Sequence, residues 1–134
     1  MKRIYTFLTA VIFSAAVFAA APKTIDLTKL GATMQYSQVY NMLMEADQYK
    51  NVRIKMDGIF YENADQKEGP LFQCIMVSDV TACCMAGFDL IKADPSIIYP
   101  EHLTKIEVTG TFEVHETDGV ERSYLVIDTL KVIP

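Results

Sequence analysis

The chain has 134 residues, 51% of them hydrophobic, and a formal net charge of -5 at pH 7. That acidic balance excludes a nucleic-acid partner, where Lys and Arg must neutralise phosphates, and it disfavours anionic lipid surfaces. Three cysteines are too few for a disulfide framework, and an odd number leaves at least one thiol outside any intramolecular pairing.

Lys2 and Arg3 precede an apolar run from Ile4 to Val17, and small residues follow at Ala19, Ala20 and Ala21. This is the order of a secretory signal. The run of 14 residues falls short of the roughly 20 that a membrane span needs. The expectation is a signal peptide over 1–19 cleaved after Ala19, an extended lead-in over 20–35 and one domain over 36–134. The mature chain is then exported, to the periplasm or cell envelope, with no membrane span. It keeps about 115 residues and a net charge of -7. That is a common domain size, large enough to bury a core without disulfides.

Val39, Met42, Leu43, Ala46 and Tyr49 recur at spacings of three and four, which predicts a helix over 38–49. Ser37 is placed to cap its first turn, and Asn51 to take the left-handed conformation that ends it. Met42 and Met44 on this helix read as core filler rather than thioether ligands.

After residue 51 the period changes to two. "VRIKMDGIFYE" alternates as a half-buried strand over 52–62. A polar loop over 62–70 leads to "LFQCIMVS", 71–78, a strand apolar on both faces. A turn over 79–82 joins it to "CCMAGFDLI", 83–91, a third strand interrupted by Gly87. A Pro-bearing loop over 92–103 precedes a fourth strand over 105–116. Asp118-Gly119 then turns the chain into a fifth over 123–133. The pattern apolar-x-apolar-x-Gly-x-Phe occurs twice, ending Gly58-x-Phe60 and Gly110-x-Phe112. A glycine inside a strand marks a bend, bulge or close approach. Tightly coiled strands of a small closed barrel need such glycines. The fold class expected is therefore mainly β: a five-stranded OB-like Greek-key barrel with an N-terminal helix, in which Gly58, Gly87 and Gly110 are structural and Gly58 and Gly110 sit close together on neighbouring strands.

The chemistry-bearing residues centre on Cys74, Cys83 and Cys84. With Asp79 and Val80 as the turn, Met76 faces Cys83, Ile75 faces Cys84 and Cys74 faces Met85. Cys74 and Cys83 then share one face and Cys84 takes the other, so a site using both vicinal thiols needs a bulge at 83–84. Four readings stay open. The thiols are packed as small hydrophobes, bind a soft metal such as Zn or Cu, form a disulfide, or do redox chemistry. Three thiolates would need a fourth metal ligand; His115 and Asp79 are accessory candidates. The ordinary role of Asp79 is an Asx turn, and His115 and His102 read as solvated. No C-x-x-C, G-x-S-x-G, H-E-x-x-H or phosphate-loop motif is present, so no catalysis is expected. Tyr61 and Phe72, with other aromatics, could offer a stacking surface but read more simply as core or rim.

"VYNMLMEADQYKNVRIKMDGIFY", "FQCIMVSDVTACCMAGFDL" and "IEVTGTFEV" together resemble a group of small exported proteins of gut Bacteroidetes and Firmicutes, of uncharacterised function, that carry an Asp-x-Thr-Ala-Cys-Cys turn. They are also similar to the C-terminal OB-like domain of YcgQ-type membrane proteins. The resemblance covers residues 36–114. It implies an OB-like fold, export and, in some relatives, metal handling, and it transfers no catalytic residue. Just after the motif Met85-Ala86 stands where the group carries Ala-Gln.

Two functions follow. One is an envelope binding module whose cysteine turn handles Zn or Cu. The other is an OB-type domain that binds an envelope protein or a small ligand and uses its cysteines structurally. Thiol redox activity is a third, weaker reading.

Overall fold

A computed structural model of the protein describes residues 24–63, 69 and 71–134. The expected signal segment, the start of the lead-in and most of the loop over 62–70 lie outside the described residues. Six strands and one α-helix follow in order: β1 (Thr24–Asp26), α1 (Ala32–Met44), β2 (Arg53–Glu62), β3 (Gln73–Ser78), β4 (Met85–Lys92), β5 (Lys105–Thr117) and β6 (Val120–Val132).

Five strands close on themselves in the order β2-β3-β4-β6-β5, with β2 pairing back onto β5. The β4–β6 pair is parallel and the other barrel pairs are antiparallel. This is an OB-like barrel: the first strand bridges to the fourth, and the third runs beside the fifth. The extra strand β1 adds in parallel to β2. The β5–β6 hairpin turns through Asp118 and Gly119 alone, both at positive φ (53° and 74°), the pattern of a tight two-residue turn. Thr109 pairs with Thr129 but Gly110 pairs with Ile127, so Asp128 is left over at a bulge, and its carboxylate takes Arg53 of β2 at 2.7 Å.

One face of every barrel strand fills the interior. Phe60, Phe88 and Phe112 are fully buried, with Ile54, Met56, Ile75, Ile106, Leu125 and Ile127 around them. The helix packs on β3 and β4 and adds Val39 and Met42 to this core, so an N-terminal helix is present as expected, while Met44, expected as core filler, is exposed. The expected Gly58–Gly110 contact does not form. Gly58 pairs with Ile106 and Gly110 with Ile54, four rungs away. Each glycine instead admits a third strand: a Cβ on Gly58 would lie 2.6 Å from the Met76 carbonyl oxygen of β3, and one on Gly110 would meet the Val126 carbonyl of β6.

The helix itself starts six residues before the predicted point and its α-helical part ends earlier, at Met44. A 3-10 turn over Ala46–Tyr49 carries it on, and Asn51 takes the left-handed φ of 65° as expected. Gly31 occupies the N-cap and Ser37 caps nothing; its hydroxyl donates back to the Thr33 carbonyl one turn earlier. The early turns are hidden in the sequence because the residue that continues the buried stripe is polar. Gln35 is 9% exposed, and its amide donates to the backbone oxygen and the carboxylate of Asp57, at 3.0 and 2.9 Å. The lead-in is thus extended at β1 and again at Leu30 and Gly31. A 3-10 turn over Leu27–Lys29, capped by the Asp26 carboxylate, and the first turn of α1 make up the rest of its described part.

Candidate functional site

The β3–β4 hairpin holds all three cysteines, but not as the short turn predicted. Ser78 pairs with Met85 and Cys74 with Asp89, a register shifted by four from the expected one. The connection is six residues, Asp79 to Cys84, because the Asp79 carboxylate organises it. It accepts from the Cys83 N–H (3.2 Å) and the Thr81 hydroxyl (2.9 Å), while the Ala82 N–H reaches the Asp79 carbonyl at 3.0 Å. Ala82 takes a left-handed φ of 53° to close the loop. Asp79 therefore shapes the turn, but through the N–H four residues on and the Thr81 hydroxyl rather than through the N–H two residues on that an Asx turn uses.

Cys83 and Cys84 consequently sit in a turn, exposed, rather than on opposite faces of a strand. No bulge at 83–84 enters a strand, since β4 begins at Met85. Cys74 is buried on β3, and all three thiols are free. Packing as a small hydrophobe thus describes Cys74 and fails for the vicinal pair. Among the described residues no three His, Cys, Asp or Glu side chains gather as metal ligands. The expected centre of Cys74, Cys83 and Cys84 is therefore not assembled. The phenol of Tyr36 on α1 faces Cys84 and Asp79, and burial first, then these acidic neighbours, raise its pKa. His115 lies on β5, exposed, 2.8 Å from Glu113 and edge-on to Tyr124, and belongs to no ligand group with the thiols among the described residues. His102 accepts the Glu62 N–H on Nδ1 at 3.0 Å, and its ring meets Tyr61 edge-on at 5.2 Å.

A different constellation lies on the outer face of the same hairpin. Tyr61 pairs with Cys74, and Cys74 pairs with Asp89; Met76 pairs with Gly87. Side chains alternate, so these residues share the face opposite to Phe60, Ile75 and Phe88. A cleft of about 360 Å³ opens there, lined by Tyr61, Phe72, Cys74, Met76, Met85 and Asp89 among others. The Met85 sulfur of β4 and the Tyr61 hydroxyl of β2 meet at 3.8 Å, two side chains from strands on either side of β3. Gly87 is the floor. A Cβ there would lie 2.6 Å from the Met76 sulfur and run into the Ile75 carbonyl. Burial, with the Asp89 carboxylate adding, pushes the Cys74 thiol up to about 11. Asp89 is itself raised by burial and held back by Arg122, 3.7 Å away. A larger hollow of about 490 Å³ at the β5–β6 turn is lined by Thr117, Asp118, Val120, Arg122 and Tyr124, without a sulfur or a histidine.

The sequence marks Tyr61 and Phe72 only as generic aromatics, Met76 and Met85 only as neighbours of the cysteines, and Asp89 not at all. The signal that finds them is in "LFQCIMVS". A strand with one face to water should alternate with polar residues, yet Phe72, Cys74 and Met76 keep the outer face apolar.

The fold and cleft define a class: an OB-like barrel with a capping helix and an apolar recess on its second and third strands. No protein-family model matches the chain, and no curated protein matches it either.

Proposed function

We propose that this protein is a non-catalytic binding module of the cell envelope, exported by its N-terminal segment, that holds a small ligand in the cleft of β3 and β4. The observation that carries the reading is the apolar, concave patch on a strand face that would otherwise be wetted. Its position supports it, because the face formed by the second and third barrel strands is where OB-type barrels take their ligands. Its volume of about 360 Å³ falls within the usual range for small-molecule sites, at the small end. Half-exposed Phe72 and Met85, each 43% accessible, form the walls a ligand would cover. The acidic charge agrees with an uncharged, cationic or apolar ligand rather than a polyanion.

The neutral fluorescent probe N-phenylnaphthylamine tests the site. Saturable binding at one site, weakened by Phe72→Ala and Met85→Ala and untouched by Val120→Ala at the other hollow, is expected. Absence of binding, or binding indifferent to Phe72 and Met85, overturns the reading.

A further inference from the structure

The lining of the cleft names a more specific ligand. Three of its side chains carry sulfur: Cys74 and Met76 on β3, two residues apart on one face, and Met85 on β4. All three line the one cleft, and two independent features place the methionine sulfurs in it. The sulfur of Met76 occupies the space that Gly87 leaves by having no side chain. The sulfur of Met85 lies 3.8 Å from the Tyr61 hydroxyl at the rim of the cleft, where the residue remains 43% exposed. We propose that this cleft is a Cu(I) site, with the Cys74 thiolate and the Met76 and Met85 thioethers as ligands and the ring of Tyr61 as its wall. The inference rests on the cleft being the ligand site.

The donor set decides the metal. Thiolate and thioether sulfurs are soft and favour Cu(I) over hard cations. The charge balance points the same way. Binding breaks the Cys74 S–H bond, forms a sulfur–copper bond and releases one proton to water, with no change in oxidation state. One positive metal and one thiolate make a neutral unit, which an apolar recess tolerates. A divalent ion with the same ligands would leave a net positive charge in a poorly solvated place. Asp89, the strand partner of Cys74, has its own counter-charge in Arg122, 3.7 Å away. The exposed thiols Cys83 and Cys84 are not needed, since they belong to the turn beyond Met85.

Anaerobic titration of the full chain with Cu(I) against the chromophoric competitor bicinchoninate tests this. One copper retained per chain is expected. Cys74→Ser should weaken it by about a hundredfold or more, and Met76→Leu and Met85→Leu by about tenfold each, while the Cys83→Ser/Cys84→Ser double variant keeps the wild-type affinity. Leucine matches methionine in volume, so the two thioether variants remain folded. Ag(I), a redox-inert stand-in, should shift the methyl NMR signals of Met76 and Met85 and leave buried Met42 and Met56 in place. Copper lost with the turn thiols but kept in the leucine variants overturns the inference. So does failure to retain copper: if N-phenylnaphthylamine still binds, the cleft remains a ligand site and only the metal is wrong; if neither binds, both readings fall.

Discussion

The two sulfur-bearing regions of the β3–β4 hairpin are opposites. At its tip, Cys83 and Cys84 are adjacent in sequence, exposed, and placed by the hydrogen bonds of Asp79. On its face, Cys74, Met76 and Met85 are dispersed in sequence yet line one recess. Adjacency along the chain brings side chains together only where the backbone bends to allow it. Spacing by two along a strand, and pairing across it, gathers side chains with no special backbone at all. The difference also decides chemistry. A thiol at the tip meets water and solutes, whereas the thiol on the face is buried and hard to ionise.

The largest effect is expected at Gly87, the floor of the face. Replacing it with valine drives a branched side chain into the Ile75 carbonyl and the Met76 sulfur. Backbone cannot yield as a flexible side chain does, so the loss should reach about 3 kcal/mol or more, read by chemical denaturation, with the floor of the cleft lost. Next comes Cys74→Ser. It puts a hydroxyl in a recess with few polar partners, at a cost of about 1–3 kcal/mol. The same variant reports on the pH dependence. The Cys74 pKa is raised from its ordinary value of 9.0 to about 11 in the folded chain. Between those values the native state holds a proton that the unfolded chain has released, so stability falls as pH rises through that window. Cys74→Ser should flatten this fall. Tyr99, raised by burial to about 12, contributes in the same direction at higher pH and is unchanged by the substitution.

The barrel was legible in the sequence and the site was not, for one physical reason. Barrel strands announce themselves by alternation, because each puts one face into a common core; Ile54, Met56, Phe60 and Ile106, Val108, Phe112 do so plainly. The helix cap is legible where apolar residues mark it, at Val39 and Met42, and illegible where Gln35 enters the same stripe through two hydrogen bonds to Asp57. The hairpin register depended on the length of one connection. Asp79 stretches that turn to six residues by accepting hydrogen bonds inside it, and this moves Cys83 and Cys84 out of the strand. Gly58 and Gly110 stand out in the sequence as barrel glycines, but the backbone each admits belongs to the strand that follows its own, β3 and β6, and only the register shows this. The cleft had one visible trace, the double-faced apolarity of the second barrel strand.

A smaller effect is expected at the turn that separates the two regions. Asp79→Ala removes the acceptor for the Cys83 N–H and the Thr81 hydroxyl. These groups are exposed and regain water, so the change should cost about 1 kcal/mol by chemical denaturation. It should also loosen the tip without disturbing N-phenylnaphthylamine binding in the cleft.

The smallest effect sharpens the contrast best. Cys83→Ser and Cys84→Ser exchange one exposed side chain for another of similar size, and stability should stay within about 0.5 kcal/mol of wild type. Thiol counting then separates the regions directly. With Ellman's reagent under native conditions two thiols should react promptly and the third only on unfolding, since Cys74 is 6% exposed and its thiolate is disfavoured. The double serine variant should lose the whole prompt phase and keep the slow one. A prompt phase that survives in that variant would place Cys74 in contact with solvent and remove the distinction between tip and face; a slow phase of more than one thiol would mean that the turn shields what its exposure says it does not.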